Sequence, residues 1–230
     1  MTAFTRAAVE HYGEAHSEWG LSETAIINWL DAKDRLSGQV ERLDGLGEVE
    51  VHQVSRDRIE DVLSFFDHDG FAGNPEWASC YCMFFHREDP DSNGNQPWRQ
   101  NREGLKSSLE AGTTIGYLAY IDGRPGGWCN ASLRSAYPTR RTGESDDEVG
   151  VVTCFVIAPP YRRHGLAQKL LDAALEGFRS RGVKRVEAHP PAEATADPQN
   201  FQGPLSLYIG AGFTEVARHE RNVLVAKELT

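Results

Sequence analysis

The residues with the clearest chemical potential fall in one run of the 230-residue chain, Cys154-Phe-Val-Ile-Ala-Pro-Pro-Tyr-Arg-Arg-His-Gly-Leu-Ala-Gln-Lys-Leu-Leu171. Its opening is β-branched and aromatic, two prolines follow, and apolar residues then recur every three or four positions from Arg163 to Arg181. That pattern reads as a buried strand, a tight turn and an amphipathic helix closed by Gly182. A helix start presents unpaired backbone N–H groups and about half a positive elementary charge, which suits a phosphate or pyrophosphate. Gly165 lets the backbone close on an anion with no Cβ in the way, Ala167 leaves room beside it, and Arg162, Arg163 and His164 add charge or donors. Strand, glycine and helix also occur together in many α/β proteins, where basic neighbours are only a solvated face. The run is neither a P-loop, lacking Gly-Lys-Ser/Thr, nor a dinucleotide fingerprint, lacking the glycine triplet.

Cysteine offers a second chemistry. Cys80-Tyr-Cys82 with His86, and Cys129, could place soft ligands on a metal, but the spacing is no familiar knuckle and no second close pair exists, so no metal is expected. Small buried thiols are the ordinary alternative. Cys154 has no visible base partner that would make it a nucleophile.

The elements that must position these groups alternate in type. Residues 4–44 have helical spacing and predict two or three short helices, and the period changes to two at Val49, Val51 and Val54, a first strand. This change divides the chain into an N-terminal helical extension, 1–47, and a main domain, 48–230. Arg56 to Phe66 is amphipathic, and Pro75 to Phe85 and Trp98 to Leu109 are helical or irregular. Two apolar runs around Asp122-Gly123-Arg124-Pro125 predict an antiparallel hairpin. A charged loop spans 133–147, and the long strand starting at Glu148 leads into the turn and helix described above. A short strand at 183–189, a loop, one or two helical turns at Leu205–Ala211 and two closing strands complete a mixed α/β order with no internal repeat.

Composition bounds the function. Length suggests one elaborated domain or one domain with a small appendage, and 40% hydrophobic against 25% charged residues is ordinary for a globular protein. The formal charge of −10 argues against broad nucleic-acid or anionic-membrane binding. No apolar run approaches a membrane span and the first 20 residues lack a signal-peptide core, so a cytoplasmic protein with reduced cysteines is expected. Against the acidic total, residues 161–185 carry seven Lys or Arg and two acids, a basic stretch that needs a use.

Arg162-x-x-Gly165-x-Ala167 resembles the Arg/Gln-x-x-Gly-x-Gly/Ala signature of the GNAT N-acetyltransferases, and Ile157-x-Pro159-x-Tyr161 is similar to the strand end that precedes it. Pro204-Leu-Ser-Leu-Tyr208-Ile-Gly-Ala-Gly212-Phe213 resembles the family's late helix-to-strand segment, in which a tyrosine is followed four and five residues later by Gly-Phe. The likeness covers roughly 48–228 and implies the GNAT acyl-CoA N-acyltransferase fold, a mixed α/β sheet.

The resemblance implies that the backbone amides of Arg163, His164, Gly165, Leu166, Ala167 and Gln168, a loop begun by Arg162, hold the pyrophosphate of acetyl-CoA. Backbone groups of Phe155 and Ile157 would pair with the pantetheine arm like an added strand, and Asn200 would bond that arm. Tyr208 would sit near the thioester sulfur and protonate the departing thiolate. For the general base Glu148 is the first candidate, with Asp146, Asp147 and His189 as others, or water alone. Trp77, Tyr81 and Phe85 would line the acceptor pocket or else pack the core. Arg134, Tyr137, Arg140 and Arg141 lie near the acceptor entrance and could attract a carboxylate, while the acids at 144–148 could attract an amine; solvated loop charge explains both equally. The expected reaction is direct attack of a small primary amine, such as an amino acid or antibiotic, on acetyl-CoA in a ternary complex. A non-catalytic acyl-CoA sensor, a protein N-terminus or lysine as acceptor, and a longer acyl donor are the alternatives. The N-terminal helices would cap the cleft, meet a second subunit in a homodimer, or stabilise the fold.

Overall fold

The computed structural model describes residues 46–72, 77–88, 98–143, 145–193 and 200–229. The helices expected at 4–44 lie outside them.

The period-two segment forms β1 (Val49–Gln53), followed by a 3-10 turn at Arg56–Arg58 and α1 (Ile59–Asp67), whose Ile59, Val62, Leu63, Phe65 and Phe66 are buried. Residues 77–88 make irregular turns, and α2 spans Trp98–Glu110. The hairpin is β2 (Gly116–Ile121) and β3 (Arg124–Leu133), joined by Asp122 and Gly123 at φ 49° and 78°. Positive φ at both central residues is the type I′ turn, whose twist suits the flanking strands. After two 3-10 turns come β4 (Val149–Ile157), α3 (Leu166–Ser180), β5 (Arg185–Ala188), α4 (Leu205–Gly210), β6 (Thr214–Arg218) and β7 (Val223–Glu228).

The strands form one seven-stranded sheet in the order β1-β2-β3-β4-β5-β7-β6. Every neighbouring pair is antiparallel except β4 with β5. The α3 helix packs Leu166, Leu170, Leu171, Ala174, Leu175 and Phe178 on one face against Tyr117, Ala119, Cys129 and Val152. On the other face α1 and α2 cover Leu118, Tyr120, Trp128, Cys154 and Val156. At about 25 cal/mol per Å² of apolar surface, these two layers supply the main favourable energy of the fold. Among the described residues no helix is long and apolar enough to cross a membrane.

The parallel pair is short. It joins Val149–Val152 to Arg185–Ala188 and stops, because His189-Pro190-Pro191 follows β5 and proline cannot continue a ladder. β4 runs on to Ile157, where β3 is its one strand partner among the described residues. The strand edge beyond Val152 is therefore the opening in the sheet.

Candidate functional site

At that opening the chain turns from β4 into α3. The helix begins at Leu166, later than the amphipathic pattern suggests, because Arg163 and Gly165 adopt φ of 64° and 81°, left-handed values that a right-handed helix excludes. Gly165 is the N-cap and no side chain caps the first turn. A Cβ built on it would meet nothing within 4 Å, so the space in front of these amides is open. Arg162 turns back, its Nε donating to the Ile157 carbonyl at 2.9 Å and tying the loop to the strand end.

These residues line a cleft of about 320 Å³, bounded by Phe155, Val156 and Ile157 of β4, by Arg162, Arg163, Gly165, Leu166, Ala167 and Gln168, and by Asn200, Phe201, Gly203, Pro204 and Leu207. Gly70, Phe71, Trp77 and Tyr161 complete it. Its size is at the lower end of ordinary small-ligand sites. Strand edge, uncapped helix start and the approach to α4 thus share one concavity, as far-separated segments of sequence. His164, half-buried, does not line it.

The edge N–H of Phe155 points into the opening, where it donates to the Phe201 carbonyl at 2.6 Å. One residue on, the Gln202 carbonyl accepts from the Tyr208 hydroxyl, also at 2.6 Å. Gly203, at φ 81°, makes this turn possible: a Cβ there would lie 3.1 Å from the Tyr208 ring and 3.2 Å from the Phe155 ring. Tyr208 is fully buried and lies behind the cleft wall, and burial, with the thiols Cys129 and Cys154 nearby, pushes its phenol well above the usual range. It is neutral at any physiological pH, and its hydroxyl is spent on the Gln202 carbonyl.

Other expected site residues take different places. Glu148 is exposed, seven residues before Phe155, about 23 Å along an extended strand. It is not brought to the cleft. Asp146 is engaged by Thr142 and Gly143 N–H groups and by Arg134, which hold its carboxyl below the usual range. Glu144 lies outside the described residues. Of the aromatic segment, Trp77 lines the cleft, whereas Tyr81 is 4% exposed in the core beneath it, its hydroxyl donating to Asp67 at 2.6 Å. Arg102 in turn grips Asp67 at 2.9 Å. That anchor holds Tyr81 and Cys82 at φ 45° and 51°, backbone values that cost non-glycine residues of order 1 kcal/mol each.

Tyr137 is also fully buried, and its hydroxyl donates to Asn130 Oδ1 at 2.7 Å while accepting from the Ser132 N–H at 3.0 Å. Asn130 Nδ2 in turn donates to His86 Nε2 at 3.0 Å, so His86 Nδ1 carries the proton given to the Ala136 carbonyl at 3.1 Å. Burial pushes His86 down to about 4 and keeps it neutral. Arg134 lies 3.2 Å from Asp146 and 3.7 Å from Glu187. Tyr137 and Arg134 thus brace the loop instead of lining the cleft, each because a polar partner on a neighbouring element claims it. Cys82 faces Cys154 at 3.1 Å across the core, and burial raises the Cys82 thiol.

Phe201 is the cleft residue the sequence gives no sign of. It sits in a polar stretch, Pro-Gln-Asn-Phe-Gln-Gly, without periodicity, and owes its place to ring contacts with Trp77 at 5.2 Å and Phe85 at 6.2 Å.

A mixed sheet opened beside a helix start, with both faces covered, is the architecture of one class of transferase, and comparison with known proteins gives the same class. The family model described as the acetyltransferase (GNAT) family matches residues 75–199. The chain belongs to the GNAT acetyltransferase family. Among solved structures, PaiA N-acetyltransferase from Thermoplasma acidophilum, in complex with coenzyme A, is 12% identical, with a TM-score of 0.52 over 79% of this chain and 99% of that one. Ribosomal-protein-alanine N-acetyltransferase from Brucella melitensis is 15% identical, with a TM-score of 0.50 over 78% of this chain and 99% of that one. At these identities the likeness is one of fold. A search of curated proteins gives no match.

Proposed function

We propose that this chain is an acetyl-CoA-dependent N-acetyltransferase that moves an acetyl group to the primary amine of a small molecule by direct attack in a ternary complex. The observation that carries the reading is the shared cleft: the edge of β4 beyond its pairing with β5, the start of α3 at Gly165 and Asn200 all line it. A known structure of similar fold carries coenzyme A.

The amides from Arg163 to Gln168 hold the pyrophosphate, helped by the positive end of the α3 dipole. Phe155 and Ile157 offer backbone groups to the pantetheine arm in the manner of an added strand, with Asn200 across the cleft. Phe155 can do so once the Phe201 carbonyl releases its N–H. Tyr208, neutral and close behind Phe155 and Gly203, gives a proton to the departing thiolate when the Gln202 carbonyl lets its hydroxyl go. Glu148 does not line the cleft, and water is the route assigned here to the amine proton.

The test is calorimetric titration with acetyl-CoA, then thiol release across a panel of primary amines. Saturable binding with amine-dependent thiol release is expected. Absence of binding at high micromolar acetyl-CoA removes the reading, and tight binding without turnover on any amine would identify an acyl-CoA sensor instead.

A further inference from the structure

Three arginines stand in the segment between β3 and β4, and two are engaged. Arg134 is held by Asp146 and Glu187, and Arg141 donates to the Ser135 carbonyl at 2.9 Å and faces Glu88 at 3.8 Å. Arg140 differs. Among the described residues no carboxylate pairs with it, and its Nε is buried without a hydrogen-bond partner. Arg87 and Arg134 also have a buried Nε without a hydrogen-bond partner, but the Arg87 guanidinium reaches Asn101 at 3.1 Å and Arg134 has the carboxylates of Asp146 and Glu187 beside it. The Arg140 guanidinium lies over the Phe85 ring at 5.4 Å, and desolvation lowers its pKa.

The surroundings of Arg140 are aromatic and positive. Phe85 contacts Phe201, and Phe201 lines the cleft beside Trp77 and bonds Phe155. His189, which follows β5, is pushed down to about 4 by burial first, then by the charges of Arg140 and His219. Among the described residues the charges that act on it are these two cations. A part-buried cation with no counterion among the described residues is costly unless something else supplies the anion. A guanidinium is the side chain best shaped to take a carboxylate through two parallel N–H···O bonds.

We propose that Arg140 is a specificity-determining residue of the acceptor side, taking the carboxylate of an amine that also bears an acid, while Phe85, Phe201 and Trp77 hold its carbon skeleton. The inference rests on the acetyltransferase reading and narrows it from amines in general to amino acids in the broad sense, α or ω.

Two measurements test it. In the first, α-amino acids, 4-aminobutyrate and 6-aminohexanoate are compared as acceptors with the matching amines that lack the carboxylate, using the wild type, Arg140→Gln and Arg140→Lys. Arg140→Gln is expected to raise KM for the carboxylated acceptors roughly ten- to a hundredfold, the range for losing a hydrogen bond to a charged group, with the acetyl-CoA Kd unchanged. Arg140→Lys should recover part of the loss. The melting temperature of Arg140→Gln should equal or exceed that of the wild type, since an unpaired cation is removed; a bracing role would lower it. In the second, acetate and 6-aminohexanoate are titrated while the His189 ring resonance is followed by NMR. An anion beside Arg140 should raise the His189 pKa in the wild type and leave it unmoved in Arg140→Gln. Equal use of carboxylated and plain amines by a wild type that binds acetyl-CoA, or a His189 resonance indifferent to carboxylates, overturns the proposal alone. Loss of acetyl-CoA binding overturns the acetyltransferase reading, with the NMR titration still deciding whether Arg140 takes an anion.

Discussion

Replacing Gly165 by glutamate places a carboxylate directly in front of the amides that would hold the pyrophosphate. The structure separates two costs. Gly165 sits at φ 81°, so any side chain there loses about 1–2 kcal/mol of stability to left-handed strain. Its Cβ position is open, with no protein atom within 4 Å, so no clash adds to that figure. Alanine carries the strain and little else. Glutamate adds a charge about 4 Å or so from a bound phosphate, worth about 1 kcal/mol in bulk water and about 4 kcal/mol at the effective dielectric of a protein surface. The glutamate variant should therefore bind acetyl-CoA roughly five- to several-hundredfold more weakly than the alanine variant, while the two melt within a few degrees of each other. Calorimetry with acetyl-CoA, beside thermal melts of wild type, Gly165→Ala and Gly165→Glu, measures both quantities. Equal affinity of the alanine and glutamate variants would show that the anion does not bind at the start of α3.

Tyr208→Phe removes a buried hydroxyl and leaves the Gln202 carbonyl without its 2.6 Å partner, costing about 1–3 kcal/mol of stability; turnover should fall with the acetyl-CoA Kd unchanged, and an unaltered rate would dismiss the phenol as proton donor. His86, held near 4 when folded against about 6.5 when unfolded, makes the unfolded state the better proton acceptor in that window. Its contribution is complete above pH 6.5 and is lost as pH falls toward 4, at up to about 1.4 kcal/mol per unit and about 3 kcal/mol in all. His189, also near 4, adds a slope of the same sign, so denaturant titrations at pH 7.5, 5.5 and 4.5 should show both and His86→Gln should remove about half of the dependence; a variant as acid-sensitive as the wild type would place the effect elsewhere.

Period and turn chemistry made much of the fold legible. The period-two run from Val49, the Asp122-Gly123 turn and the apolar stripe from Leu166 to Phe178 each correspond to an element of the sheet or its covering helix. The β4-to-α3 turn was readable as a shape, since two prolines end the strand and Gly165 precedes the apolar stripe, but the same pattern occurs in many α/β proteins and its proposed use came from the family resemblance. Tyr81, Tyr137 and Arg134 were not, because an aromatic or a cation in a loop carries no local mark of whether a partner on another element will claim it. Asp67, Asn130 and Asp146 made those choices through tertiary contacts. Arg140 and Arg141 are adjacent in sequence and alike in type, yet only the folded chain separates the one with no carboxylate among the described residues from the one facing Glu88. Phe201 was hidden for a related reason, since a lone aromatic in a polar loop gives no periodicity to read.

If the edge of β4 and the start of α3 form the acetyl-CoA cleft, a crystal structure of the protein with coenzyme A bound will show the pyrophosphate on the amides between Arg163 and Gln168, the pantetheine arm along Phe155 and Ile157, and the Phe155 N–H parted from the Phe201 carbonyl. Coenzyme A bound elsewhere, with the bond from Phe155 to Phe201 intact, would contradict this placement.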